Sequence, residues 1–297
     1  MDFGRMYRKL CLKGAYGVAI RPRGREDMPY QVKYPTMHSW YADPFICCHQ
    51  GREYVFVERM SSYRLDGEIA VAPVEDGQIG DFQPAIREPF HMSFPNVFSW
   101  QGEWYMLPET YESGEVRLYR SQEFPCQWTL DAVLMDGVEL LDYALYPAEG
   151  GFLVVAHDKK DEGNRYNRAF RLDMEERSFK EIFPEGDWCR QRPGGSFYEE
   201  GGSWYHVIQE CGRCYGEYLH IYKVLEFTEK VFREEKIREV RMEDVPVMPD
   251  NGKLERIHTY NCDEAYEVID VYFDKVYPNK FFIHQWHEAL KRIKGRK

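Results

Sequence analysis

One strand pattern recurs along this chain at intervals of roughly 50 residues, about the length of a four-stranded propeller blade. Each copy has a short strand, a turn built on Gly or acidic residues, a second strand rich in aromatics, and a third strand. The first copy runs through Ala42-Asp-Pro-Phe-Ile46, a turn at Gln50-Gly51, Glu53 to Glu58 and Gly67 to Ala72. The second uses Phe94 to Phe98, Gln101-Gly102, Trp104 to Glu109 and Glu115 to Arg120. The third uses Leu141 to Tyr146, Gly150-Gly151, Phe152 to Ala156 and Arg168 to Leu172, and the fourth Gly194 to Tyr198, Gly201-Gly202, Trp204 to Ile208 and Tyr218 to Tyr222. A degenerate fifth copy joins His258 to Asn261, a turn near Asp263, and Tyr266 to Tyr272. Strands with turn signals this regular predict an all-β fold. Radial repetition predicts a five-bladed β-propeller, with blades at 36–75, 90–122, 138–175, 190–226 and 255–275 in a single domain. A β-sandwich is the competing architecture, but it does not explain the repeat length. Lys280 to Lys297 reads as a short C-terminal helix, with Phe281, Phe282, Trp286 and Leu290 as its apolar face.

Charge and cysteines narrow the partners. A net charge of -11 argues against nucleic acid, which needs a basic footprint, and is unfavourable for an anionic membrane. The basic stretch at Lys291, Arg292, Lys294, Arg296 and Lys297 reads as a solvated tail, with a weak membrane or partner contact as the minor alternative. No apolar run reaches the length of a membrane span, and none near the N-terminus has the form of a secretory signal. The eight cysteines lack the spacing of a disulfide framework, so a reducing, cytoplasmic protein is expected. Cys211-Gly-Arg-Cys214 has no second pair to complete a zinc site, and the histidines are scattered, so neither metal nor cofactor is expected.

In a propeller the innermost strands face a central channel, where polar groups are costly unless paired or wetted. Asp43, Asn96, Asp142, Arg192 and His258 fall on or beside those strands. Asp43 and Asp142 occupy matching repeat positions, and Pro44 predicts an extended backbone at Asp43. Glu109 ends the second strand of its repeat, where Glu58 stands in the first and Gln209-Glu210 in the fourth. Glycoside cleavage needs an acid and a base carboxyl flanking one bond, with the acid's pKa raised. Asp43, Asp142, Glu109 and Glu210 are therefore candidate catalytic residues. Trp40, Asn96, Tyr143, Arg192 and His258 are candidates for substrate binding.

Several of these residues sit in a distinctive block. Ala42-Asp-Pro-Phe, His91-Met-Ser-Phe-Pro-Asn-Val-Phe98, Leu107-Pro-Glu-Thr110, Arg117-Leu-Tyr-Arg120 and Phe124-Pro-Cys-Gln-Trp128 are followed by Arg192-Pro-Gly-Gly195, Gln209-Glu-Cys211, Tyr215-Gly216 and His258-Thr259. From about residue 36 to 275 the block resembles the N-terminal domain of plant glucosamine inositolphosphorylceramide transferases and its bacterial relatives. That domain is often joined to a formyltransferase-like or glycosyltransferase domain. The Asp-Pro strand resembles, more distantly, the five-bladed propellers of glycoside hydrolase families 43 and 32. Those hydrolases imply a base at Asp43 and a second aspartate, best matched by Asp142, that tunes the acid. Their acid has no motif match, so Glu109 and Glu210 are candidates by position only. The family's usual Gln-Asp-Cys reads Gln209-Glu210-Cys211. Two functions follow as expectations. One is a glycoside hydrolase-like or glycosyl-transfer enzyme acting on a glycan or sugar-bearing intermediate. The other is a non-catalytic sugar-binding or accessory module of glycan or glycolipid biosynthesis, working with a glycosyltransferase or formyltransferase-like partner.

Overall fold

The computed structural model describes residues 12–160, 166–247, 253–276 and 280–295. The chain opens with β1 (Leu12–Pro22) and β2 (Gln31–Lys33) and then enters four consecutive antiparallel sheets. Blade one comprises β3 (Ser39–His49), β4 (Arg52–Ser61) and β5 (Glu68–Glu75), with β6 (Gln78–Ile79) and β7 (Gln83–Ile86) beside β5. Blade two comprises β8 (Ser93–Trp100), β9 (Glu103–Glu109), β10 (Glu115–Glu123) and β11 (Gln127–Asp136). Blade three comprises β12 (Leu140–Ala148), β13 (Gly151–Asp158), β14 (Asn167–Asp173) and β15 (Ser178–Ile182). Blade four comprises β16 (Tyr198–Glu200), β17 (Ser203–Glu210), β18 (Tyr218–Phe227) and β19 (Phe232–Val240). The fifth sheet combines β20 (Lys253–Arg256), β21 (Tyr260–Cys262) and β22 (Tyr266–Val276) with β1 and β2 from the other end of the chain. The protein is a five-bladed β-propeller.

Burial explains why the repeat reads as it does. In blade two the axial half of β8 and most of β9 are buried, whereas outermost β11 is half-buried or exposed throughout. The tips Gln50-Gly51, Gln101-Gly102 and Gly201-Gly202 all have two consecutive residues at positive φ. Those are the backbone signs of the tight hairpin turns whose twist matches that of the strands they join.

Five apolar clusters hold the ring together, one at each interface between neighbouring blades. Leu107, Leu118, Tyr143, Val154 and Phe170 join blades two and three. Val18, Ile20, Val55, Val57 and Val268 join blades five and one. Fully burying side chains of this size stabilises by about 1.5–3 kcal/mol each.

The structure revises the sequence reading in three places. Blade five looked degenerate because its missing strand is β1, which pairs with β22 in unbroken register from Leu12↔Val276 to Pro22↔Tyr266. The ring is thus closed by residues that precede the first recognisable repeat, and the outer strands of blades one to four run beyond the boundaries expected for them. Asp43 is not extended: its φ is +49°, and Phe94 (+45°) and Asp142 (+49°) share that left-handed geometry. Each sits at a β-bulge in the first strand of its blade, where the register shifts between Ala42 and Phe45, Ser93 and Asn96, and Leu141 and Ala144. Bulges re-aim side chains, and a short polar Asp tolerates the left-handed region. The bulge therefore overrides the preference imposed by Pro44. The third revision concerns the C-terminal helix α1 (Lys280–Lys294), which rests on the body through Ile283. Phe281, Phe282 and Trp286, expected to pack, are 49%, 73% and 50% exposed.

Candidate functional site at the propeller axis

The second strand of every blade delivers one buried polar side chain to the axis at the same height of the ladder. Glu58 lies opposite Ala42, Glu109 opposite Ser93, and His157 opposite Leu141. The Gln209 amide donates to the Arg192 carbonyl at 2.8 Å, and the Asp270 amide to the Thr259 carbonyl at 3.4 Å, which puts both at the corresponding position. All five residues are buried. The bulged residues Asp43 and Asp142 project beside this ring.

Two ion-paired groups result. In the first, His258 bridges two aspartates, with Nδ1 2.8 Å from Asp270 Oδ2 and Nε2 3.1 Å from Asp43 Oδ1. Thr259 Oγ1 also donates to Asp43 Oδ1 at 3.0 Å, and the Phe94 amide donates to Asp43 Oδ2 at 3.3 Å. Asp270 Oδ1 accepts the amides of His258 and Thr259, both at 3.0 Å, and Asp270 Oδ2 accepts that of Asp43 at 3.2 Å. Burial disfavours charge on His258, but Asp270, Tyr215 and Tyr16 beside it together outweigh this and hold the imidazole well above its usual range. In the second group, the Arg192 guanidinium binds both oxygens of Asp142 and reaches Glu109 Oε2 at 3.5 Å. Gln209 Nε2 donates to Asp142 Oδ2 at 3.0 Å, and the Asp142 amide donates to Glu109 Oε2 at 3.2 Å.

The two glutamates differ from the aspartates. Burial, reinforced by Asp43 and Glu109, pushes Glu58 well above the ordinary carboxylate range. Burial, then Asp142, pushes Glu109 the same way, against the pull of Arg192. Both are carboxyl groups that hold a proton where an exposed glutamate would have lost it. Glu58 has His91 Nε2 at 3.4 Å.

Aromatic side chains surround the charged groups on the side of blades four, five and one. The Tyr16 ring lies 4.7 Å from His258 and 6.0 Å from Trp40. Tyr215 covers His258 and Arg192, its ring centroid 5.1 Å from the imidazole and from the guanidinium carbon. The Tyr16 hydroxyl is buried without a hydrogen-bond partner among the described residues, and burial pushes its pKa up to about 12. It stays a neutral phenol with a donor to spare.

Asp43, Asp142, Glu109, Arg192 and His258 therefore gather at the axis, with Trp40 at its edge. Three other candidates are placed differently. Glu210 points away from Asp142, because neighbouring strand residues face opposite sides. It accepts from His220 Nε2 at 3.1 Å, Gln191 Nε2 at 3.3 Å and the Gly212 amide at 2.7 Å. Burial opposes its ionisation, but these contacts win and lower its pKa, the reverse of what an acid catalyst needs. Tyr143 is fully buried between blades two and three, its hydroxyl donating to the Leu140 carbonyl at 3.3 Å. Asn96 donates to the Tyr143 carbonyl at 2.6 Å and reaches Ser196 Oγ at 3.2 Å, which ties three blades together. Sequence reasoning missed Asp270, His157 and Tyr16, and at the Gln209-Glu210 position it chose Glu210 over Gln209. Asp270 and His157 could have been found by counting from Glu58 and Glu109 along the repeat; Tyr16 lies outside every repeat copy.

The ligating atoms of Asp43, His258 and Asp270 lie within 4.8 Å of one another, close enough to test as a cation site. A metal needs a deprotonated ring nitrogen. Here both ring nitrogens face carboxylates, so His258 itself supplies the positive charge. Without a metal the arrangement is an imidazolium lying between two aspartates, and a cation would bind there only by displacing the His258 proton. A groove of about 580 Å³ lies away from the axis, at the rim of blades four and five, lined by Arg213, Tyr218, Arg241 and Arg256.

With this geometry in place, comparison with known proteins is direct. The architecture is that of propeller glycoside hydrolases. The α-L-arabinofuranosidase PaAbf62A from Podospora anserina superposes with a TM-score of 0.56 over 80% of this chain and 91% of its own, at 11% identity. Zg3597, a family 117 glycoside hydrolase from Zobellia galactanivorans, gives 0.54 over 90% and 91% at 13% identity. Identities this low establish the fold alone. The chain itself belongs to the family described as glucosamine inositolphosphorylceramide transferase 1, N-terminal, whose model matches residues 29–245. It is 30% identical over 216 residues to glucosamine inositolphosphorylceramide transferase 1 of Oryza sativa subsp. japonica, and 29% identical to that of Arabidopsis thaliana. These relatives are plant proteins and give no support to a bacterial assignment. The matches span 69% of this chain but only 29% of the rice protein, and 67% and 27% for the Arabidopsis one.

Proposed function

We propose that the axial cluster is a sugar-binding site that holds its ligand without cleaving it, and that the domain serves as the recognition module of a glycan or glycolipid biosynthetic activity. The observation that carries this reading is that both aspartates already have protein donors on both oxygens. Asp43 is occupied by His258, Thr259 and the Phe94 amide, and Asp142 by Arg192 and Gln209. A carboxylate that accepts donors on both oxygens, at three of about four lone-pair sites, is a weakened base toward water. Trp40 and Tyr215 offer ring faces to the apolar side of a sugar. Few precise polar groups among aromatic walls are the usual composition of a small-molecule site.

The catalytic reading has one specific observation in its favour, the raised pKa of Glu58 and Glu109, which suits a proton donor. Its two candidate bases, Asp43 and Asp142, are both engaged by protein donors on each oxygen. The group-transfer chemistry, of sugar or formyl, would then come from a glycosyltransferase or formyltransferase-like partner, and a cytoplasmic setting is consistent with the seven described cysteines being free thiols. The test is a screen of glycans, sugar nucleotides and inositol-phosphate sugars by saturation-transfer NMR, followed by product analysis of every hit. Binding without product, weakened in Asp43→Asn, supports recognition. Product formation that Glu109→Gln abolishes overturns it in favour of catalysis.

A further inference from the structure

Helix α1 carries two apolar stripes, and the body uses only one of them. Ile283 is buried, and His287 Nε2 donates to the Ser62 carbonyl at 2.9 Å. The other stripe runs through Phe282, Trp286, Ala289 and Ile293 at 3–4 residue spacing. Phe282 is 73% exposed and Ile293 80%. Trp286 also leaves half its surface exposed while its Nε1 donates to the Tyr63 carbonyl at 2.9 Å. The patch continues onto the body, because Tyr63 and Met37 are about half exposed and belong to one turn pair, tied by the Ser62 hydroxyl donating to the Met37 carbonyl at 2.8 Å.

Charge identifies what this patch suits. The helix bears Lys280, Lys291 and Arg292 against the carboxylate Glu288, with which Lys291 pairs at 3.0 Å, on a chain whose net charge is -11. A second copy packed symmetrically on the same face would bring two cationic helices together. An anionic bilayer supplies the opposite charge and an apolar layer for Phe, Trp and Ile, as interfacial helices require. The acidity of the remaining surface is screened beyond about 8 Å at physiological salt, so the local charge governs docking. The helix is not long and apolar enough to cross a membrane, which leaves lying on one.

We infer that α1, with Tyr63 and Met37, is a docking surface for an anionic lipid bilayer. The turns it rests on flank the Ser39↔Ser61 pair, at the end of β3 and β4 that carries Trp40, Asp43 and Glu58. The inference does not depend on the sugar reading.

The experiment is co-sedimentation of the full chain with vesicles of phosphatidylcholine alone and of phosphatidylcholine with phosphatidylserine, at low and physiological salt. Binding to the phosphatidylserine vesicles is expected, weakened by salt. It should fall roughly tenfold or more in Phe282→Ser/Ile293→Ser, because two exposed apolar side chains leave the lipid. Lys291→Glu/Arg292→Glu should abolish the preference for phosphatidylserine. Both variants alter exposed or half-buried positions, and unchanged thermal melts establish that they fold. No sedimentation with either vesicle, equal binding by the serine variant, or a dimer in light scattering that this variant dissociates would each overturn the inference, the last by assigning the patch to a second copy.

Discussion

Replacing Arg192 by Met removes a guanidinium shared by two buried carboxyl groups. The Asp142 side chain is 2% exposed and that of Glu109 4%, and the Asp142 amide donates to Glu109, so the two groups cannot separate. Breaking a buried pair by deleting one partner costs about 3–5 kcal/mol, because the remaining charge is uncompensated. The methionine stem preserves most of the packing, so the loss is electrostatic and must depend on pH. In the variant, the carboxyl pair has a folded pKa raised above its unfolded value. Its cost is absent below the unfolded pKa, near 4, and grows as pH rises toward the folded pKa. Urea unfolding should show a deficit of about 3–5 kcal/mol near pH 8 that shrinks by more than half near pH 5, with an unchanged m-value. Adding Asp142→Asn should recover part of the loss at pH 8 and little at pH 5. An equal deficit at both pH values would assign the loss to packing and refute the electrostatic account.

Other outcomes follow from the same geometry. In the wild type, Glu58, Glu109 and His258 all bind protons more tightly when folded, so stability should fall as pH rises through their folded pKa values; a rise in melting temperature between pH 6 and 9 would contradict this. Glu210→Gln should leave ligand binding unchanged, whereas Gln209→Leu should weaken it by removing a donor from Asp142, which a binding titration of the pair decides. Deleting residues 12–22 removes the partner of β22 and opens the ring, so the truncated chain should lose cooperative unfolding.

Much of the fold was legible because each blade repeats its own turn chemistry. Gln50-Gly51, Gln101-Gly102 and Gly201-Gly202 announced hairpins that the backbone then shows at positive φ. Blade five was not legible, because β1 and β22 are more than 240 residues apart and β1 precedes the first copy. At the site, Asp43 and Asp142 were readable as equivalent positions. Their conformation was not, since a bulge is set by the neighbouring strand and not by Pro44. Glu210 was a misplacement that alternation alone could have prevented, because Gln209 and not Glu210 stands in register with Glu58 and Glu109. The helix misled for a different reason. It is apolar around more than one face, and sequence spacing does not say which face the body takes.

The most direct test of the axial site as a sugar-recognition centre is a crystal structure with the best ligand from the screen. The account predicts the sugar ring against Trp40 and Tyr215, intact, with its hydroxyls turned toward the charged groups at the axis. A sugar seated in the arginine-lined groove at the rim of blades four and five, with the axis empty, would contradict it.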